Sequence, residues 1–300
     1  MIKKIIISVL IFILLAITSI ISIFLILTRT NGSVISSDQK RRYLLYVPES
    51  YQPGEPTPLM ISVHGFASWP AQQQNITQFN TLADKYGFIV VYPRGRGFPL
   101  RWQTGYYGDE DPLVDVIFIE DLINKLMGDY SIDPTRIYAN GFSNGGGLAN
   151  LLGCVLSDKI AAIGTVAGAY ALSDDKCEPS RSVPLITFHG TDDPIVPFEG
   201  GTVTNLGYTL PSISNWVASW VRRDGCNVDP VVMKLFETVE VKKYTGCEEG
   251  IEVQFYKVIG GGHSWPGGQK LPKFIVGFTT EEINASSLMW EFFQKYKLEK

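Results

Sequence analysis

The 300-residue sequence predicts an α/β fold, a mostly parallel central sheet flanked by helices. Three observations carry that expectation. Strand-like and helix-like segments alternate from about residue 39 to the end. Several of the strand-like runs are short and continuously apolar, as buried strands are. A Gly-x-Ser-x-Gly string, Gly141-Phe142-Ser143-Asn144-Gly145, stands between one such strand and a helix-like segment.

The chain opens on a different composition. Lys3 and Lys4 precede a 24-residue run, 5–28, broken only by small polar residues. About 20 apolar residues suffice to span the hydrocarbon core as a helix. Residues 1–30 are expected to form an uncleaved signal anchor or transmembrane helix, with the lysines cytoplasmic and the rest exported. A long, cleaved signal peptide is the alternative, and it too places the rest of the chain outside the cytoplasm. Residues 31–38 are expected to form a polar linker, and 39–300 one α/β domain.

Within that domain, 42–47 has strand character. Residues 59–63 form an apolar strand ending in His64-Gly65, and 88–92 another ending in Pro93-Arg94-Gly95. Helical spacing follows over 116–127. A short strand, 136–139, stops at Asn140-Gly141 ahead of a helix of small residues, 145–156. Residues 160–166 and 185–188 are further buried strands. Residues 212–223 form a helix whose Trp216 and Trp220, at i and i+4, face the core. Residues 239–244 and 251–258 alternate like strands, and 280–295 closes the chain as a helix. Thr279 or Thr280 would cap that helix, with Glu281 and Glu282 in its first turn.

The net charge of −4 comes without any Lys/Arg-rich run, so the footprint of a nucleic-acid-binding protein is absent. Four cysteines, Cys154, Cys177, Cys226 and Cys247, are too widely spaced for a zinc site. They allow three pairings; nearest-neighbour pairing would close loops of about 20 residues, each worth about 3 kcal/mol in the chain-entropy model. An oxidising compartment favours disulfides over free thiols. Asn31-Gly-Ser33, Asn75-Ile-Thr77 and Asn284-Ala-Ser286 match the glycosylation triplet, a pattern common by chance.

A serine at a tight strand–turn–helix bend projects its hydroxyl above the sheet, which makes Ser143 the candidate nucleophile and the fold an α/β-hydrolase fold. Glycines flank it because a β-carbon would clash across the bend. A serine hydroxyl needs a general base oriented by a carboxylate, and in this fold the chain order is serine, acid, histidine. Three histidines are available. His64 precedes the serine and fits a structural role. His189 ends a strand and fits support of the turn after it. His263 lies in the glycine-rich string 260–268, between the last strand and the last helix, and is the candidate base. The acid should come from the turn after His189-Gly190, where both Asp192 and Asp193 qualify. The backbone N–H groups of Phe66 and Asn144 are the candidate oxyanion-hole donors. Trp102 and Trp265 lie on loops; Trp265, two residues from His263, could stack on a sugar or aromatic acid or simply pack.

Five groups of residues carry a resemblance to a known family. They are Val63-His64-Gly65, then Trp102 with residues 115–119, then Gly141 to Gly146, and the long strings 189–197 and 261–268. Together they resemble the extracellular polyhydroxybutyrate depolymerases, feruloyl esterases and acetylxylan esterases, and the resemblance covers nearly all of the exported part. It implies Ser143, Asp193 and His263 as a catalytic triad, since that family's acid falls four residues after the His-Gly histidine. It also implies the pairings Cys154–Cys177 and Cys226–Cys247. Phe66 departs from the family, where many members carry a small residue or cysteine, and so does the N-terminal anchor. The expected function is hydrolysis of a carboxylic ester, on a small or a polymeric substrate, without metal or cofactor. An acyltransferase with the same triad and a non-catalytic carbohydrate-binding surface protein are the alternatives.

Overall fold

The computed structural model describes residues 2–104, 113–203 and 208–299. The chain begins with α1 (Ile2–Leu27) and runs through β1 (Gly32–Ser36), β2 (Gln39–Tyr46) and β3 (Thr57–Val63) into α2 (Pro70–Thr77) and α3 (Phe79–Tyr86). Next come β4 (Ile89–Pro93), α4 (Val114–Asp129), β5 (Ile132–Phe142), α5 (Asn144–Val155), β6 (Ala162–Val166) and β7 (Leu185–Gly190). A small hairpin, β8 (Gly201–Val203) and β9 (Tyr208–Leu210), precedes α6 (Ile213–Arg223). The chain ends with β10 (Val231–Phe236), β11 (Val239–Tyr244), β12 (Val253–Val258), α7 (Lys273–Val276) and α8 (Ala285–Phe293).

Ten strands form one sheet in the order β1-β2-β4-β3-β5-β6-β7-β12-β11-β10. Its six central strands, β4 to β12 in that order, are parallel, with antiparallel strands at both edges. Successive side chains of a strand point to opposite faces, and β3 divides accordingly. Leu59, Ile61 and Val63 join one core with Leu122 of α4, Leu148 and Leu152 of α5 and Trp216 and Trp220 of α6. Met60 joins the other, with Ile76, Phe79 and Ala83 from α2 and α3 and Trp290 and Phe293 from α8. Because both faces are covered, every residue of β3, β4, β6 and β7 is buried, which is why these strands appear in the sequence as short, mainly apolar runs. All six parallel strands end at the same edge of the sheet, where ligands bind in open α/β sheets.

Three expectations need correcting. The closing helix begins at Ala285 rather than residue 280, and Asn284 caps it by accepting from the Ser287 N–H. Residues 278–280 are unavailable to a helix because the loop around His263 uses their carbonyls: Gly262 donates to Phe278 and Gly267 to Thr280. Second, the expected linker, 31–38, contains β1, which turns through Ser37 and Asp38, both at positive φ, to pair with β2. Third, among the described residues no helix is long and apolar enough to cross a membrane. The 26-residue α1 coincides with the run expected to span, but its side chains at 2–6, 20, 23–25 and 27 lie outside the described residues. The structure therefore gives the expected N-terminal transmembrane helix no support.

Disulfides join Cys154 to Cys177 and Cys226 to Cys247, the pairing implied by the resemblance. Beside the second lies a buried acid. Asp224 is fully buried; one carboxylate oxygen accepts from the Val183 N–H at 3.1 Å, and the other has no partner among the described residues. Burial pushes its carboxyl from the usual 3.8 up to about 7. A pKa raised on folding stabilises the native state at low pH, and that contribution is lost as pH climbs towards the folded value. The melting temperature of the wild type should therefore fall between about pH 4 and pH 7 by more than that of Asp224→Asn. Calorimetry across that range checks this, and parallel curves would refute it.

Candidate active site

Strand β5 and helix α5 meet at Ser143, whose backbone takes φ 57° and ψ −122°. A non-glycine residue in that region is strained and persists only where its surroundings fix it. Here the Ser143 N–H donates to the Val166 carbonyl at 3.0 Å, and the Ser143 carbonyl accepts from Gly147 and Ala169, each at 3.1 Å. The flanking glycines are required sterically. A β-carbon on Gly141 would meet the Gly145 backbone, and one on Gly145 would meet the carbonyls of Val63 and His64. The serine thus stands hard against the end of β3, and a β-carbon on Gly65 would lie 3.3 Å from its Cβ.

Asp193 follows β7 in a turn closed by its own side chain. Oδ1 accepts from the N–H groups of Ile195 and Val196, both at 2.8 Å, and Oδ2 lies 2.8 Å from Nδ1 of His263. Burial alone would raise this carboxyl. The charge and hydrogen bond of His263, with His189 and the Val196 N–H, outweigh burial and hold it below the usual range. Nδ1 of His263 donates in that bond, so the proton sits there and Nε2 is left as the acceptor. The His263 N–H donates to the Val276 carbonyl at 2.6 Å. Its ring packs on Phe142, the neighbour of Ser143, with centroids 4.9 Å apart. Ser143 Oγ has no hydrogen bond to another described residue, so what the structure gives between hydroxyl and imidazole is this neighbourhood. Hydroxyl–imidazole bonds of this kind are often loose before substrate binds.

The remaining polar groups sort themselves by partner. Asp192 is exposed and accepts only from the Thr191 hydroxyl. His189 is buried, its Nε2 3.0 Å from the Val196 carbonyl, and supports the Asp193 turn. His64 is equally buried, with Nδ1 2.7 Å from the Gly65 carbonyl and Nε2 accepting from Gly95 at 3.0 Å. Burial pulls its pKa down to about 4, so it stays neutral and structural. Phe66 follows on the loop after β3, and Asn144 opens α5, where helix N–H groups lack intrahelical partners. Among the described residues, no group of three or more His, Cys, Asp or Glu is placed to hold a metal ion.

The two loop tryptophans are corrected. Trp102 is fully buried and its indole donates to the His64 carbonyl at 2.8 Å. Trp265 is also buried, bonded to Ser286 and packed against Phe79 and Phe142. Neither offers a stacking face to a substrate; both use their bulk to hold active-site loops in place. A residue with a part unseen in the sequence is Asn144, whose side chain clamps the Trp102 backbone, accepting from its N–H at 2.7 Å and donating to its carbonyl at 3.1 Å. Nothing in the spacing marks such a clamp, because its halves lie 42 residues apart.

Residues 41–177 match the family described as Esterase PHB depolymerase. The family match runs from within β2 to beyond β6, and so takes in Phe66, Ser143 and Asn144, while Asp193 and His263 lie beyond it. Among relatives, feruloyl esterase B of Piromyces equi is 30% identical over 248 residues, which cover 80% of this chain and 45% of that one. A putative esterase, NocK, of Nocardia uniformis subsp. tsuyamanensis is 25% identical over 289 residues, covering 88% and 82%. The chain thus spans less than half of the Piromyces relative. The fold matches that of an acetyl xylan esterase from Aspergillus awamori, with a TM-score of 0.65, 15% identity and coverage of 88% and 98%. It also matches a ferulic acid esterase of Anaeromyces mucronatus, with a TM-score of 0.54, 16% identity and coverage of 90% and 91%.

Proposed function

We propose that the chain hydrolyses carboxylic esters through an acyl-enzyme on Ser143. The bond between Asp193 and His263 carries this reading, because it leaves Nε2 as a base beside a serine held in a strained elbow. In the first step Nε2 takes the Ser143 proton as Oγ attacks the ester carbonyl, and the proton then passes to the departing alcohol. In the second, water deprotonated by the same nitrogen attacks the acyl-enzyme and releases the acid. The N–H groups of Phe66 and Asn144 receive the developing oxyanion, each worth about 2.7–4 kcal/mol of transition-state stabilisation. Asp193 holds the tautomer and stabilises the imidazolium. Feruloyl and acetyl esters of plant polysaccharide and polyhydroxybutyrate-type polyesters are the candidate substrate classes. The names of the feruloyl and acetylxylan esterase relatives favour the first two.

A fluorophosphonate probe should label Ser143 and p-nitrophenyl acetate should be turned over, with peptide mass spectrometry locating the adduct. An adduct elsewhere, or none, would refute the assignment; labelling without hydrolysis would favour the acyltransferase. The lysine-flanked apolar run and the two disulfides support an exported chain.

A further inference from the structure

One groove on the catalytic edge of the sheet has a charge that ester hydrolysis does not require. Its volume is about 350 Å³, and Lys40, Arg41, Arg42, Arg94 and Arg96 line it, with no acidic residue among the described lining residues. That volume falls in the range of small-ligand sites. The cations are brought together by pairing: the Arg94 N–H donates to the Arg42 carbonyl where β2 runs beside the end of β4. Among the described residues, Asp115 is the carboxylate that reaches the group. It is fully buried and its Oδ1 lies 2.7 Å from Arg41 and 3.6 Å from Arg96, while Oδ2 accepts from the Gln103 N–H. Asp115 therefore compensates the inner arginine and leaves Lys40 and Arg42, both exposed, at the mouth.

The groove is coupled to the candidate site through backbone. Gly95, in its wall, donates to His64, and His64 carries the Gly65-Phe66 loop that touches Ser143. Apart from the arginines that meet Asp115, Lys40, Arg42 and Arg94 line the groove, and the planar fork of an arginine matches the two oxygens of a carboxylate or phosphate. Resting on the esterase reading above, we propose that this groove binds a carboxylate or phosphate borne on the polymer that carries the scissile ester, so that the preferred substrate is an acylated acidic polysaccharide. The anionic sugar would lie along the β2–β4 edge while the ester enters between Phe66 and His263.

The test compares the full chain with its Lys40→Glu and Arg42→Glu variants, both surface changes, on four substrates at low and high salt. These are p-nitrophenyl acetate, acetylated mannan, acetylated polygalacturonate and an acetylated phosphate-bearing mannan. In the wild type, kcat/KM should be highest on an acidic polymer and should fall with salt on that polymer alone. Each charge reversal should cost about tenfold or more on the acidic polymers, by loss of electrostatic attraction, and leave the first two substrates within twofold. The acidic polymer that loses more identifies the anion as carboxylate or phosphate. Equal rates on neutral and acidic polymers, or equal losses on both, would overturn the proposal, as would charge reversals that change only binding to anionic lipid vesicles. Failure to hydrolyse p-nitrophenyl acetate would instead overturn the esterase reading, so the two failures are distinguishable.

Discussion

Ser143→Ala should lower kcat on p-nitrophenyl acetate by roughly 10⁴- to 10⁶-fold, about 5–8 kcal/mol of barrier. The loss is this large because the hydroxyl is the atom that bonds to the acyl group, and no neighbour can replace it. The fold should survive. Ser143 owes its backbone position to bonds made by its N–H and carbonyl, and alanine keeps both. A melting temperature close to wild type, measured with the same preparation, separates lost chemistry from lost structure. Activity within tenfold of wild type would remove Ser143 from the mechanism.

Asp193→Asn should cost about 10⁴-fold in kcat. The carboxylate does two jobs with two oxygens: Oδ1 closes the turn through Ile195 and Val196, and Oδ2 faces His263 Nδ1. If the asparagine oxygen keeps the turn, its NH₂ is turned towards the imidazole, where donor would meet donor. The ring then favours the tautomer with its proton on Nε2, where it cannot accept from Ser143. The neighbouring Asp192→Asn is the internal control, since Asp192 is exposed and its carboxylate, among the described residues, accepts only from the Thr191 hydroxyl; it should change kcat less than about threefold, as a surface residue outside the relay does. Steady-state kinetics on both variants decide between the adjacent acids. Comparable losses would mean that the loop, rather than one carboxylate, is what matters.

Much of the site was visible one residue at a time. Gly141 and Gly145 mark the bend, because only glycine lets the chain pass so close to its own carbonyls. The order of Ser143, the 189–193 turn and His263 follows from the chain. The sheet was visible for a related reason: strands covered on both faces are mainly apolar, so β3, β4, β6 and β7 stand out as runs. The edges did not stand out. β1 is half-exposed and has no apolar run, whereas β10 is apolar at five of its six positions yet mostly exposed, an edge strand whose composition does not follow from burial.

Local pattern also misled where distant groups compete for the backbone. Residues 280–284 suit a helix in isolation, yet the His263 loop takes the carbonyls that a helix would need. Trp102 and Trp265 fit a binding surface on loops, yet both are buried as supports of those loops.

By itself the sequence determined the class of fold, the candidate nucleophile and base, and the confinement of the acid to two adjacent residues, because these depend on short-range geometry and chain order. The resemblance singled out Asp193, and the tertiary structure sets it against the imidazole; the tertiary structure alone decided that Asn144 clamps Trp102 and that arginines from β2 and the end of β4 share one groove. Each of these is a contact between segments far apart in the chain, set by how the strands pair and which side chains the packed sheet leaves facing one another.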